Sequence, residues 1–285
     1  ECGVFYAGPE DGQLLAGVRA SADAYGLPLQ DGDAAPGHER FDLAPGHGAV
    51  FEPEAGYVLA EGAVSAFLDE ARRHGVRVFT GTPVTGLERA GAGYVLRTSA
   101  GLVSARRVIL AAGGWTGALA PALKPLLHLQ RRVLCWFAAP GGAFAPGRFS
   151  PFAVEEPQGW FYGFPDALGT GVKIGVHQGD EPFAHPDDMA RAIRPDDGRD
   201  IDAAAVSRLP GLGARRHAAA CFYTMSPDED FIISLGGLEP DMAVVTGLSG
   251  HGFKFAPAIG EALAGWALGT PVRTDLAPFS PGRFR

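Results

Sequence analysis

Hydrophobic positions recur along this chain with two different periods, and the changes of period divide it. Between Glu61 and His74, the residues Val64, Phe67, Leu68 and Ala71 fall at i, i+3, i+4 and i+7. That spacing lines one face of a helix, and Gly75 supplies its stop. Leu14 to Tyr25 carries a similar pattern through Leu14, Val18 and Ser21–Ala22, and Ala256–Leu268 carries another through Ile259, Leu263 and Trp266. Short strands are predicted at Gly56–Leu59, after a turn at Phe51-Glu52-Pro53, and at Val76–Thr80, Val84–Glu88, Tyr94–Thr98 and Leu102–Ala105. Gly91, Gly93 and Gly101 provide turns between the last three. The continuous apolar run Arg107–Ala112 has the character of a strand buried inside a parallel sheet. It ends at Gly113-Gly114-Trp115, which opens a short helix.

The middle of the chain changes style. Gln130–Ala139, Phe152–Glu155, Trp160–Phe164 and Val172–His177 are strand-like and separated by Pro- and Gly-rich turns. Weaker helical patterns follow at Asp187–Ile193 and Ile201–Val206, around a charged linker at 194–200. An antiparallel sheet is expected here. After Cys221 the first style returns, with apolar strands at Phe231–Leu235 and Met242–Gly247. The fold class expected is α/β plus α+β in two lobes, one of them of dinucleotide-binding type.

Composition narrows the function. A chain of 285 residues can bury a large core, and its 41 glycines and 23 prolines fit a loop-rich globular protein. A net charge of −8 argues against nucleic acid as a partner. No apolar run approaches the roughly 18–20 residues needed to span a bilayer, and no signal peptide pattern is present. The three cysteines, Cys2, Cys135 and Cys221, are far apart and form no C-x-x-C pair, so neither a disulfide framework nor a zinc site is expected. The cytoplasm is the expected location.

The candidate chemistry gathers in a few places. Gly247, Gly250 and Gly252 stand between an apolar strand and a helix, an arrangement that leaves N–H groups and the positive end of a helix dipole facing one spot. Such a spot suits an anion; a tight strand-to-helix turn is the plainer alternative. Lys254, between Phe253 and Phe255, either snorkels to the surface or is aimed at that anion. His251 fits a turn histidine bonded to backbone equally well. In G-T-G-V-K-I-G-V-H, alternation places Lys173, Gly175 and His177 on one strand face and Val172, Ile174 and Val176 on the other. Tyr162 could reach the Lys173 face from a neighbouring strand. A lone cysteine such as Cys221 is most often a small buried hydrophobe, and no G-x-S-x-G elbow is present to support a serine nucleophile.

The strings C-F-Y-T-M-S-P-D-E-D-F-I-I, G-L-S-G-H-G-F-K-F, G-W-F-Y-G-F-P…G-V-K-I-G-V-H and A-A-G-G-W, in that combination, resemble the monomeric sarcosine oxidase / N-methyl-L-tryptophan oxidase family. The resemblance runs to the C-terminal D-L-A-P-F-S-P-G-R-F. It implies a two-lobed FAD-dependent oxidoreductase fold, with 1–56 and 125–227 in the substrate lobe and 57–124 and 228–285 in the FAD-binding lobe. It implies FAD attached through a thioether to Cys221, oxygen activation by Lys173, and a substrate carboxylate held by Lys254 together with an arginine from the family's N-terminal region. Tyr162, His177 and Tyr223 would line the substrate cavity. Val84, Ala112, Gly113, Trp115, Gly250, His251, Gly252, Phe253 and Lys254 would lie against the cofactor. The implied partners are a small-molecule N-methyl amino acid and O₂, and the implied state is a monomer. The alternatives are a related amine oxidoreductase with another substrate or acceptor, or an inactive fragment. The family's G-x-G-x-x-G unit has no counterpart here, and the chain starts at Glu1 without methionine. An incomplete dinucleotide-binding lobe is therefore expected.

Overall fold

Val172 and Ile174 are completely buried while Lys173 between them is not, so the period-two segment folds as the half-buried strand it predicts. The computed structural model describes residues 1–179 and 181–284. The chain divides into two compact units, one of Glu1–Ala71, Arg132–Asp180 and Ala190–Cys221, the other of Arg72–Arg131, Glu181–Met189 and Phe222–Arg285.

The first elements are β1 (Val4–Pro9), α1 (Gln13–Tyr25), β2 (Gln30–Asp31), β3 (His47–Glu52) and α2 (Ala60–Arg73). A meander of β4 (Val84–Ala90), β5 (Gly93–Thr98) and β6 (Gly101–Ala105) leads to β7 (Val108–Leu110), α3 (Thr116–Leu119) and β8 (His128–Phe137). Then come β9 (Phe152–Glu156), β10 (Gly159–Phe164), β11 (Val172–Val176), β12 (Pro182–Phe183) and α4 (Arg199–Arg208). The chain closes with β13 (Arg215–Met225), β14 (Ile232–Glu239), β15 (Met242–Thr246) and α5 (Ala256–Leu268).

In the first unit the strands run in the order β8-β11-β10-β9-β1-β3-β2, with β13 beside β8. All the registered pairs among them are antiparallel except β1 with β9, which is parallel. Register sets Phe5 opposite Phe152 and Phe161 opposite Val154. One face of the sheet is thereby aromatic and buried, packed with Phe144, Phe149 and the α4 residues Ile201 and Ala205. The other face carries Tyr6, Tyr162 and Lys173. Helix α1 starts at Gly12, which has no side chain to cap it. Glu155 of β9 does so instead, accepting from the N–H groups of Gln13 at 3.2 Å and Leu14 at 2.8 Å.

In the second unit β14 and β15 pair antiparallel, and β15 pairs parallel with β7. Ile232, Met242 and Val244 pack with Tyr94 of the meander and with Leu123. Ile233, Ala243 and Val245 pack on Ile259 and Leu263 of α5. Arg107 caps the far end of α5, donating to the carbonyls of Trp266 and Ala267. Arg283 donates to both carboxylate oxygens of Asp228, at 2.7 and 2.8 Å, and so ties the P-D-E-D turn to the C-terminal segment.

That clamp yields a prediction. Hydrogen bonding from Arg283 holds the Asp228 carboxyl down at about 2. The folded value lies below the ordinary one, so the clamp stabilises fully above about pH 4 and is lost as pH falls through about 2. In denaturant melts, Asp228→Asn should be less stable than the parent at neutral pH, with the gap closing between those two values.

Several sequence expectations are corrected. Val76–Thr80 and Gly56–Leu59 are not strands; Val76 is 53% and Phe79 68% exposed, and no neighbouring strand pairs with their backbone among the described residues. Phe51 and Glu52 end β3 rather than forming a turn. Asp187–Ile193 holds only a 3-10 turn at Pro186–Asp188. The run Arg107–Ala112 keeps three strand residues, and as an edge strand it leaves Ile109 42% exposed between buried Val108 and Leu110. Helix α2 forms as predicted, yet its apolar stripe stays uncovered, with Phe67 59% exposed. Periodicity reports what a segment could bury and not whether anything covers it.

Candidate functional site

Strands β7 and β15 are parallel neighbours, so their carboxyl ends emerge side by side, and each runs into a glycine loop. In open α/β sheets that end of the strands is where ligands bind. Thr246 ties the two loops together by donating its hydroxyl to the Gly113 carbonyl at 3.2 Å. Gly113 is at φ +51°, and no heavy atom lies within 4 Å of the place a Cβ would take. Gly250 is different: at φ +81°, its Cβ would stand 2.3 Å from the Tyr223 ring, so the missing side chain is the seat for Tyr223.

Between these glycines Ser249 takes φ +48°, a left-handed conformation that non-glycine residues seldom adopt. Its N–H donates to the Thr224 carbonyl at 3.0 Å, and its hydroxyl accepts from the Ser226 N–H at 3.2 Å. Buried hydrogen bonds of this kind keep a strained residue in place. Ser249 and Ser226 were not among the sequence candidates; the position of Ser249 inside the glycine loop, before Gly250, was the one hint.

Lys254 sits in the 3-10 turn Phe253–Phe255, directly before α5. Its ammonium donates to the His251 carbonyl at 3.0 Å and lies 5.1 Å from the centre of the Phe255 ring. The residue as a whole is exposed, but its charged end is partly withdrawn from water, which pushes its pKa down. No carboxylate pairs with it among the described residues. The Nδ1 atom of His251 lies 3.2 Å from the Ser249 carbonyl, and its ring tilts against Phe231 at 4.9 Å, as for a turn histidine bonded to backbone. Trp115 meets Phe222 edge-on at 5.9 Å, and Ala112 precedes it at the mouth of the first loop. Val84 lies in the meander sheet, paired with Thr98.

The other candidates lie in the first unit. The Lys173 ammonium is 5.4 Å from the Trp136 ring centre and 5.9 Å from that of Phe164, its register partners on the two adjacent strands. It too has no carboxylate partner among the described residues, so its charge is supported by aromatic faces. Tyr162 lies over Gly175, where a Cβ would come within 2.9 Å of the phenol oxygen. The His177 ring stacks on Trp160 at 6.1 Å and 20°. Cys221 is half-buried on β13, two residues before Tyr223 and on the same side of the strand. None of the cysteines is in a disulfide, and no group of His, Cys, Asp or Glu fit to hold a metal occurs among the described residues.

Lys173, Tyr162 and His177 therefore share one sheet face of the first unit, and Gly113, Tyr223 and Gly250–Lys254 gather at the loops of the second. The FAD dependent oxidoreductase family model matches residues 1–266. The chain belongs to that family. It is 37% identical over 291 residues to N-methyl-L-tryptophan oxidases of Yersinia pestis (strain Pestoides F) and Yersinia pseudotuberculosis serotype O:1b (strain IP 31758), a match covering 100% of this chain and 77% of each relative. Its fold is similar to that of L-proline dehydrogenase from P. horikoshii (TM-score 0.84, 18% identity, 99% of this chain and 76% of that one). It is also similar to glycine oxidase from Geobacillus kaustophilus (TM-score 0.80, 20% identity, 98% and 74%). The protein is an FAD-dependent amine oxidase. No helix among the described residues is long and apolar enough to cross a membrane.

Proposed function

We propose that this oxidase demethylates N-methyl amino acids, with N-methyl-L-tryptophan as the first substrate to test and sarcosine as the second. The observation that carries the reading is the 37% identity, across the whole chain, to oxidases named for N-methyl-L-tryptophan. The residues present fit FAD. Two glycine loops lie open at adjacent strand ends, with space rather than side chains beside Gly113. Backbone from Ala112, Gly113, Trp115, Gly250, His251, Gly252 and Phe253 would hold the cofactor, with Val84 contributing from the meander and Cys221 forming the covalent thioether. Bound there, FAD supplies two-electron redox chemistry between the N-methyl C–H bond and O₂.

In this reading the protein's own groups orient and charge-balance. Lys254 takes the substrate carboxylate, for which a cation without a carboxylate partner is suited. Tyr162 and His177, on the sheet face that carries Lys173, and Tyr223, at the loops of the second unit, are assigned to substrate contact. Lys173 is a fixed positive charge where oxygen gains negative charge, and its aromatic flanks keep it oriented. The oxidised substrate, an imine, then adds water to give the amino acid and formaldehyde, with one hydrogen peroxide formed per O₂ consumed.

Purified holoprotein given N-methyl-L-tryptophan should release peroxide and formaldehyde in equal amounts with saturable kinetics. Absence of turnover on that substrate, on sarcosine and on other secondary amino acids would sink the substrate assignment. The covalent link has a separate check. Under denaturing conditions, mass spectrometry should show an FAD increment that disappears in Cys221→Ala.

A further inference from the structure

Between α1 and the face of the sheet that carries Tyr6 lies an open cavity of about 270 Å³ that none of the candidate oxidase residues lines. Its walls are mostly apolar, with Leu14, Val18 and Ala22 from α1 and Leu27 and Leu29 beyond it, while Gln13 and Ser21 add polar groups on the α1 side. Its polar end is Glu52, which accepts a hydrogen bond from the Tyr6 hydroxyl at 3.2 Å. Burial, and then the neighbouring carboxylate, push the Tyr6 pKa up, so the phenol keeps its proton as the donor. Trp160 closes one side and also stacks on His177.

The other acidic residues nearby are engaged. Glu155 uses one oxygen on Gln13 and the other on Leu14 to cap α1. Glu10 is paired with Arg19 at 2.8 Å. Glu52 has one oxygen on Tyr6, and its second oxygen has neither a hydrogen-bond donor nor a cation among the described residues. Glu52 is half-buried at the edge of a largely apolar, solvent-open groove, and a charged N–H donor would complete its second oxygen with the stronger, charge-assisted kind of hydrogen bond. The aromatic face of Trp160 suits the same kind of ligand. The volume is slightly below the roughly 300 Å³ at which pockets for drug-sized ligands begin, so the occupant is small.

We propose that this cavity is a second ligand site, separate from the oxidase chemistry, for a small primary or secondary ammonium compound bearing an aromatic or branched apolar group. The ammonium pairs with Glu52 and the apolar group fills the space beneath α1. Phenethylammonium is a suitable probe and should bind the full chain with a Kd on the order of 0.1–1 mM, followed through tryptophan fluorescence or the Trp160 indole resonance. Its neutral isostere 2-phenylethanol should bind at least about tenfold more weakly, and so should phenethylammonium to Glu52→Gln. Gly17 lines the cavity and has nothing within 4 Å of the place a Cβ would take, so Gly17→Leu should fold normally while filling the space. That variant should lose binding, and Lys173→Met should keep it. The proposal is overturned if binding does not saturate, if the alcohol binds as well as the ammonium, if Gly17→Leu binds as the parent does, or if Lys173→Met abolishes binding.

Discussion

Replacing Lys173 with methionine is expected to slow reaction of the reduced holoenzyme with oxygen by about 100- to 1,000-fold, the usual cost of removing one preorganised electrostatic group. Reduction by substrate should change less than about tenfold. The asymmetry follows from the surroundings of the ammonium. It lies against Trp136 and Phe164 and has no carboxylate partner among the described residues, so its charge is not neutralised locally. Methionine has a similar length and retains the packing against both rings, which confines the change to the charge. Anaerobic stopped-flow reduction followed by mixing with oxygen separates the two half-reactions. Equal slowing of both would assign Lys173 to substrate binding and remove it from oxygen chemistry.

Gly250→Ala is expected to destabilise the second unit by about 2–4 kcal/mol, read from urea unfolding. Two costs add. A left-handed alanine is unfavourable by roughly 1–2 kcal/mol, and its methyl group would stand 2.3 Å from the Tyr223 ring, which must move. Gly113→Ala serves as the comparison. Its backbone is also left-handed, but nothing within 4 Å obstructs the added carbon. It should therefore lose only the smaller backbone part of that stability, while still weakening FAD binding by occupying space at the loop. If the two variants were equally stable, the packing of Tyr223 on Gly250 would not be a constraint on the loop.

Much of the local structure was legible. The helix at Ala256–Leu268 has its expected bounds, with Ile259 and Leu263 buried, because Ile259, Leu263 and Trp266 share one face and Gly269 takes the left-handed turn that ends it. The strand bearing Lys173 was legible because alternation states which residues a sheet will bury, and the meander because Gly91, Gly93 and Gly101 mark its turns. Val76–Thr80 misled for the same reason that the others succeeded. A strand also needs a partner for its backbone, and composition carries no record of one.

Of the candidate sites, the local motifs were visible and their supports were not. The glycine loop with Lys254 stands out in the chain, whereas Ser249 is held left-handed by Thr224 and Ser226, distant in sequence. Lys173 stands out, but Trp136 and Phe164 become its neighbours only through strand register. The pairing of Tyr6 with Glu52 joins residues 46 apart and left no pattern at all.

The residues alone establish most helices and most strands, the two glycine loops and the motif set that marks the family, because each depends on neighbours within a few positions. Tertiary structure decides which of those residues meet. It places β7 beside β15 so that two glycine loops open together, sets Lys173 between two aromatic rings, and leaves Glu52 facing a cavity. Those outcomes depend on register and packing between distant segments, and such pairings are fixed by the fold as a whole.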